Sequence, residues 1–148
     1  MSGETQNGTI HLEIPSDFRW LDVLNASLMA VAEEMQWNQD FTNEISIAAI
    51  EAASNAVEHG NSMDAAKRVC MRIRVSGGKF MLGVCDDGPG VDPSVLERPL
   101  PGPDDLSLRG RGFSIMKALM DDIRFLKSPD GRFLLELEKA LPKPGEAE

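Results

Sequence analysis

Three polar residues lie four positions apart along one predicted helix: Glu51, Asn55 and His59. This spacing places side chains on one face of an α-helix, so a carboxylate and an amide oxygen point to the same place. An amide oxygen can hold Mg²⁺ whose other ligands are waters and nucleotide phosphates. The neighbouring carboxylate can take a proton from a water or hydroxyl nucleophile. A solvated helix face would show the same spacing, so the triplet needs independent support.

A second candidate is the segment Asp86-Asp87-Gly88-Pro89-Gly90, which directly follows a predicted strand. An aspartate there can accept a hydrogen bond from an exocyclic amine such as that of adenine. Glycines such as Gly88 and Gly90 have no Cβ, which lets the backbone approach a planar ligand closely. An ordinary acidic turn has the same composition, so this segment is not decisive by itself.

The third candidate is Arg109-Gly110-Arg111-Gly112-Phe113, which leads into a helix predicted to open at Gly112. A helix N-terminus offers free backbone N–H groups and the positive end of the helix dipole, which together favour phosphate. Two arginines at this place, in a chain of net charge −9, strengthen the interpretation as a phosphate-facing segment.

The elements that position these residues follow from apolar periodicity, with alternation predicting strands and three- to four-residue spacing predicting helices. The predicted order is strand, helix, helix, strand, strand, long loop, helix, strand, strand. The bounds are about 9–14, 17–35, 41–59, 67–76, 79–85, 112–120, 123–127 and 132–138. This order predicts an α+β fold in which helices cover one face of a mixed, largely antiparallel sheet.

The chain is expected to form one domain over residues 9–140, with flexible termini at 1–8 and 141–148. The second helix is predicted to turn a stripe toward the core and to end at Gly60. The loop before Arg109 contains four prolines between Pro93 and Pro103, and so long a loop in a small domain is usually functional or mobile. The predicted stripe consists of Ile47, Ile50, Ser54 and Val57.

Composition excludes several classes of function. With 15 basic and 24 acidic residues the chain has a net charge of −9, which argues against nucleic acid and anionic membranes as partners. The N-terminal segment resembles no signal peptide and no apolar run could span a membrane, so a cytoplasmic location is expected. Cys70 and Cys85 lie in strand-like segments and are interpreted as buried structural residues. Neither a Walker A loop nor a dinucleotide-binding fingerprint is present, and the scattered cysteines and histidines do not predict zinc.

The three candidate segments occur in an order that is more specific than any one of them. Residues 51–60, 86–90 and 110–116 resemble the N, G1 and G2 boxes of the GHKL ATPase superfamily. The Asn-Ala-x-x-His-Gly ending of the second helix and the segment 117–122 are most similar to the bacterial anti-sigma factor serine/threonine kinases of partner-switching systems. The resemblance extends from Ile10 to Glu138.

This resemblance implies a Bergerat-type two-layer α/β sandwich that binds ATP and Mg²⁺. It implies a serine/threonine-protein kinase whose substrate is a STAS-domain anti-sigma-factor antagonist, a sigma factor as second partner, and a homodimer. Two alternatives stay open: a nucleotide-gated binding module with little or no kinase activity, and the ATPase half of a split histidine kinase.

The resemblance also assigns roles residue by residue. Asn55 matches the magnesium ligand, Glu51 the general base and Asp86 the adenine-reading aspartate. Residues 91–109 match the lid that closes over the phosphates. The remaining nucleotide-binding positions are His59, Gly88, Gly90, Arg109, Gly110, Arg111, Gly112 and Phe113.

Two positions depart from the family pattern. Leu108 stands where some members have an arginine, which leaves the γ-phosphate contact open between Arg109 and Arg111. Arg132 and Phe133 follow Gly131, where many members have a threonine beside the adenine.

Overall fold

A computed structural model describes residues 8–94 and 108–143. Its elements follow the predicted order, with a 3₁₀ turn at Phe18–Trp20 and a π-helical turn at Ala56–Gly60. The strands and helices are β1 (Ile10–Pro15), α1 (Leu21–Met35), α2 (Gln39–Asn55), β2 (Arg68–Ser76), β3 (Lys79–Asp86), α3 (Leu108–Leu119), β4 (Asp122–Lys127) and β5 (Phe133–Ala140).

The five strands form one sheet in the order β1-β2-β3-β5-β4. Every pairing among them is antiparallel, so the sheet that was expected to be mixed has no parallel pair within the described residues. Apolar residues that alternate along the strands, such as Val69, Leu82 and Leu137, pack in one cluster with Leu28 of α1 and Ile45 of α2. The predicted α+β architecture, with helices on one face of the sheet, is therefore confirmed.

The turn between β2 and β3 fixes the register of the central hairpin. Gly77 and Gly78 have φ values of 62° and 76° and form a two-residue connection in which Ser76 lies opposite Lys79. Positive φ at both central residues is the requirement of the type I′ turn, which glycine meets without a steric penalty. From this turn the pairing continues without a bulge to Cys70 and Cys85.

Side-chain caps define where the 3₁₀ turn before α1 and the helix α2 begin. The Asp17 carboxylate accepts the N–H of Arg19, so the predicted helix over 17–35 opens with the 3₁₀ turn and becomes α-helical at Leu21. Asn38 caps α2 by accepting the N–H of Phe41 at 2.8 Å. A cap satisfies one of the backbone donors that a helix N-terminus leaves free.

The predicted core stripe of α2 was wrong in its largest members. Ile47 is 46% exposed and Ile50 is 39% exposed, Ser54 is half-buried, and only Val57 of the four is buried. Small side chains on the core face let α2 approach the sheet closely. Because alanine is only weakly apolar, the sequence pattern favours the isoleucines for the core face instead. The buried face of α2 consists of Phe41, Ile45, Ala48, Ala49, Ala52 and Ala53, and Ala56 continues it into the π-helical turn.

The third helix begins at Leu108, four residues before the predicted start at Gly112. Glycines weaken a helix by only about 1 kcal/mol each relative to alanine, and packing can offset that cost. Most of the predicted lid, residues 95–107, lies outside the described residues. The predicted flexible termini lie outside them too, except for residue 8 and residues 141–143. Leu141 still donates its N–H to the Gly78 carbonyl at 2.9 Å.

No helix in the described ranges is long and apolar enough to cross a bilayer.

A buried asparagine joins the end of α2 to the sheet. Asn61 is fully buried, and its Nδ2 donates to Ser16 Oγ and to the Arg68 carbonyl, each at 3.0 Å. Its Oδ1 accepts the N–H of Asp87 at 2.8 Å. One side chain therefore connects β1, β2 and the loop after β3.

We predict that Asn61→Ala lowers the free energy of unfolding by about 2 kcal/mol, because the buried Ser16 hydroxyl and the partly buried Asp87 N–H lose their partner. Urea denaturation measures this change. Asn43→Ala, on the exposed face of α2, is the matched control and should change stability by less than about 0.5 kcal/mol. Equal stabilities of the two variants would contradict the role assigned to Asn61.

Candidate functional site

A cavity lies between the end of α2, the first part of α3 and the ends of β3 and β5. Ala52, Val84, Phe133 and Leu135 contribute apolar walls. The structure also brings five of the predicted site residues to this cavity from three separate segments of the chain. They are Asn55, His59, Asp86, Gly90 and Phe113.

Asp86 is the last residue of β3 and is 4% exposed. Its Oδ1 accepts the N–H of Gly88 at 2.7 Å. Burial raises the pKa of Asp86, and the bond from Gly88 offsets only part of this effect. The structure therefore presents a desolvated carboxylate at the wall of an apolar cavity, which suits it to accept a hydrogen bond from a ligand amine.

Gly60 and Gly88 hold this carboxylate by close backbone contact. A Cβ at Gly60 would lie 2.3 Å from Asp86 Oδ2, and a Cβ at Gly88 would lie 1.9 Å from the Gly60 carbonyl oxygen. A larger residue at Gly88 would require the backbone to move, and a larger residue at Gly60 would displace the Asp86 carboxylate. Gly88 therefore packs against the backbone of Gly60 and does not line the cavity. Gly90 does line the cavity.

Two polar atoms in this region are buried without a hydrogen-bond partner among the described residues: Asn55 Nδ2 and His59 Nε2. The nearest carboxylate to His59 is that of Glu58, whose Oε1 is 3.8 Å from Nε2 and thus beyond hydrogen-bond distance. Unpaired buried polar atoms are rare because each costs free energy. Both belong to residues that line the cavity, so a polar ligand there could satisfy them.

The predicted stacking of Glu51, Asn55 and His59 holds in part. α2 ends at Asn55, and His59 belongs to the π-helical turn that follows. Such turns are rare and occur frequently at functional sites. Glu51 is half-buried and does not line the cavity, but it lies one helical turn before Asn55, and burial raises the pKa of its carboxyl.

The N-terminal part of α3 crosses α2 at Glu51 and Asn55. A Cβ at Gly112 would lie 2.9 Å from Asn55 Nδ2 and 3.2 Å from Glu51 Oε1. Glycine at this position therefore permits the crossing that brings the first and third candidate segments together. Phe113, the next residue, is buried and lines the cavity.

Arg109, Gly110 and Arg111 were predicted to form a loop before the helix, but they lie within the first turn of α3. The first four N–H groups of a helix have no partner within it, so this turn still offers backbone donors. The assignment of a γ-phosphate contact to Arg109 or Arg111 stays a prediction.

Several cavity residues were not predicted. Gly60 was expected to end the second helix, and Phe133 was named only as one of the two residues that follow Gly131. Phe133 pairs with Asp86 across β3 and β5, a long-range contact that its own segment does not indicate. Its neighbour Arg132 lies outside the cavity, with Nε 2.9 Å from Asp87 Oδ1 and Nη1 3.2 Å from Glu13 Oε1.

Comparison with known proteins agrees with this geometry. The family model described as "Histidine kinase-like ATPase domain" matches residues 14–135. The chain belongs to this family of ATPase domains. Within it, the chain is similar to serine-protein kinase RsbW of Bacillus subtilis (strain 168), with 30% identity over 122 residues, 78% of this chain and 76% of the relative. Serine-protein kinase RsbW of Bacillus licheniformis is 29% identical over the same shares of both chains. The family inferred from the three boxes is therefore confirmed.

Solved structures share the fold at lower identity. The crystal structure of the RsbU and RsbW domains of Rv1364c from Mycobacterium tuberculosis matches with a TM-score of 0.64 and 19% identity. That match covers 95% of this chain and 34% of the other. The SiaB-SiaC complex from Pseudomonas aeruginosa matches with a TM-score of 0.59 and 13% identity, covering 89% of each chain.

Replacing the buried carboxylate tests the electrostatics of the cavity. Because the folded-state pKa of Asp86 is raised, its protonated form stabilises the fold below the unfolded-state pKa, and this contribution is lost as the pH rises through the folded-state pKa. We predict that ligand-free Asp86→Asn unfolds at a higher temperature than the unmodified chain at pH 7, and that its advantage shrinks as the pH falls toward 4. Thermal unfolding over this pH range measures the effect.

The control is Asp87→Asn, which removes the exposed carboxylate paired with Arg132 and should give no stabilisation. An Asp86→Asn variant that is less stable at every pH would show that the ionised carboxylate does not destabilise the ligand-free protein.

Proposed function

We propose that the protein is an ATP-dependent serine/threonine-protein kinase and anti-sigma factor that phosphorylates a STAS-domain anti-sigma-factor antagonist. The observation that carries the proposal is the meeting of α2 and α3 beside the cavity. There Asn55, with its unpaired amide nitrogen, lies next to Glu51 and lines the same cavity as Asp86.

The adenine of ATP is proposed to enter the apolar part of the cavity. Val84, Phe133 and Leu135 can contact the faces and edges of a flat base, and the Asp86 carboxylate can accept its exocyclic amine. The phosphates then extend toward Asn55 and the first turn of α3, where free N–H groups favour negative charge.

Magnesium fits this site as an ion that binds together with the nucleotide phosphates. The described residues contain no group of three His, Cys, Asp or Glu side chains that could hold a metal ion, whereas Asn55 brings an amide group to the cavity and its Nδ2 has no hydrogen-bond partner. Such a donor set suits Mg²⁺, which keeps several waters and takes phosphate oxygens as ligands. When bound, the ion supplies charge neutralisation at the phosphates.

Glu51 is proposed to act as the general base. Burial raises the pKa of its carboxyl, which makes the carboxylate a better proton acceptor than an exposed glutamate. It accepts the proton of a serine or threonine hydroxyl as the oxygen bonds to the γ-phosphorus, and ADP leaves. The first turn of α3 stabilises the charge that develops on the transferred group.

The partners are proposed from the relatives. The similar Bacillus proteins are named serine-protein kinases, and a solved structure with the same fold contains an RsbW domain. A sigma factor as the second partner, a cytoplasmic location and a homodimer complete the proposal. The net charge of −9 supports protein partners over nucleic acid or membrane.

The test is phosphoryl transfer from γ-labelled ATP with Mg²⁺ to a STAS-domain protein from the same genome. Acid-stable phosphate on a serine or threonine of that protein supports the proposal, and Asn55→Ala serves as the inactive control. Acid-labile phosphate would instead identify a split histidine kinase. An ATP-dependent complex without any transferred phosphate would identify a nucleotide-gated binding module.

A further inference from the structure

The two cysteines of the chain lie opposite each other in the sheet. Cys70 on β2 and Cys85 on β3 are register partners, both are fully buried, and both are free thiols. They form a small cluster with Leu134, separate from the main core and on the sheet face away from the helices. The proposed kinase chemistry uses neither residue.

The geometry of the hairpin brings the two thiols within reach of a covalent bond. Ser76 and Lys79 flank the two-residue turn and form a hydrogen-bonded pair, and the pair type then alternates along the strands. Cys70 and Cys85 lie six residues farther along each strand, so they are again a hydrogen-bonded pair. Cα atoms in such pairs are about 5.5 Å apart, within the roughly 4.4–6.8 Å that disulfides span.

The surroundings shift the pKa values of the two thiols in opposite directions. The hydrogen bond from Cys85 lowers the pKa of Cys70, and the positive charges of Arg132 and Arg72 act in the same direction against the effect of burial. The same hydrogen bond and burial raise the pKa of Cys85. Cys70 is therefore the thiol that ionises, and the thiolate is the reactive form.

Access to the thiols does not require the core to open. The cluster of Cys70, Cys85 and Leu134 contains no helical residue and is separate from the main core. Side-chain rotations near a surface take picoseconds to nanoseconds. We expect such rotations to admit a small oxidant.

We propose that Cys70 and Cys85 are a redox-sensitive pair that a hydroperoxide converts into a cross-strand disulfide. The Cys70 thiolate attacks the peroxide, which breaks its O–O bond, releases an alkoxide or hydroxide and leaves a sulfenic acid. Cys85 then attacks the sulfenic sulfur and expels hydroxide, which combines with the Cys85 proton as water. In total, two thiols and one hydroperoxide yield one disulfide, one alcohol or water, and one further water.

The position of the pair connects this modification to the cavity. Cys85 directly precedes Asp86, whose side chain lies on the cavity side of the sheet. Cβ atoms joined by a disulfide are about 3.8 Å apart, closer than the roughly 5 Å typical of facing residues on neighbouring strands. Closure therefore draws the end of β3 toward β2 and displaces Asp86. The expected weakening of ATP binding rests on the proposed function, whereas disulfide formation does not.

The first experiment detects the bond. Full-length reduced protein is treated with hydrogen peroxide, alkylated with N-ethylmaleimide under denaturing conditions and weighed by mass spectrometry. Since the chain has only two cysteines, an intramolecular disulfide gives a monomer that takes up no label and regains two labels after reduction. Cys85→Ser should stop at a sulfenic acid that dimedone traps on Cys70, whereas Cys70→Ser should remain unreacted.

Two labels on the oxidised protein, disulfide-linked dimers, or equal trapping in both serine variants would each overturn the proposal.

The second experiment compares ATP affinity before and after oxidation. We expect the oxidised protein to bind ATP several-fold more weakly and Cys70→Ser to be insensitive to peroxide. Unchanged affinity of a protein shown to carry the disulfide would overturn the link to the cavity, and a reduced protein that binds no ATP would instead contradict the proposed function.

Discussion

Glu51→Gln is expected to slow phosphoryl transfer to the antagonist by about 10²- to 10⁴-fold, the usual contribution of a general base. Glutamine keeps the size and the polarity of the side chain, so the crossing of α2 and α3 at Gly112 should persist. Binding of Mg-ATP should change less than about twofold, because Glu51 does not line the cavity. Single-turnover transfer from γ-labelled ATP measures the rate separately from binding.

Glu44→Gln is the matched control for this variant. Glu44 lies on the same helix, but its carboxylate pairs with Lys139 at 3.2 Å and does not line the cavity. Its transfer rate should equal that of the unmodified protein. If Glu51→Gln transferred phosphate at the full rate, Glu51 would not be the base.

Asn55→Ala is expected to weaken Mg-ATP binding by about 100-fold, equivalent to about 2.7 kcal/mol. The variant removes the proposed magnesium ligand, so the loss should be larger with Mg²⁺ than with ATP alone. The ligand-free variant should keep the stability of the unmodified protein, because Asn55 Nδ2 has no hydrogen-bond partner that the substitution could remove. Calorimetric titrations with and without Mg²⁺ measure the affinities.

Asn43→Ala, an exposed asparagine on the same helix, should leave nucleotide affinity unchanged. An Asn55→Ala variant that binds Mg-ATP as tightly as the unmodified chain would remove Asn55 from the site. A variant that binds ATP more weakly only because it is unfolded would be recognised by its thermal unfolding in the absence of nucleotide.

The strands could be predicted from the sequence because their physical signal is local. Alternation of apolar and polar residues requires only that one face of the sheet is buried, and the Gly77-Gly78 pair marks the turn directly. The buried face of α2 could not be predicted in the same way. Ile47 and Ile50 carry the stronger apolar signal, yet close packing against the sheet selects the alanines.

The start of α3 shows a second limit of local inference. Gly110, just before the predicted helix start at Gly112, predicts a loop when only neighbouring residues are considered. In the structure both glycines belong to α3, and position 112 requires glycine because the contact with Glu51 and Asn55 leaves no room for a Cβ. The residues that require glycine at position 112 belong to α2, so the sequence around Gly112 does not reveal this requirement.

The candidate site was predictable where its chemistry depends on residue type. Asp86 and Asn55 carry polar groups at positions that the order of the three segments singled out, and both line the cavity. The apolar contribution of Phe133 depends on the pairing of β3 with β5, and the position of Arg132 outside the cavity depends on its contacts with Asp87 and Glu13. Such long-range contacts follow only from the assembled fold.

The central claim is that this cavity binds ATP, and thermal unfolding of the unmodified protein with and without Mg-ATP tests it most directly. A ligand that binds only the native state at 100 times its Kd stabilises that state by about 2.7 kcal/mol. For a domain of this size we predict a rise in Tm of roughly 5–10 °C. An unchanged Tm at millimolar Mg-ATP, in a sample that unfolds cooperatively, would contradict the account.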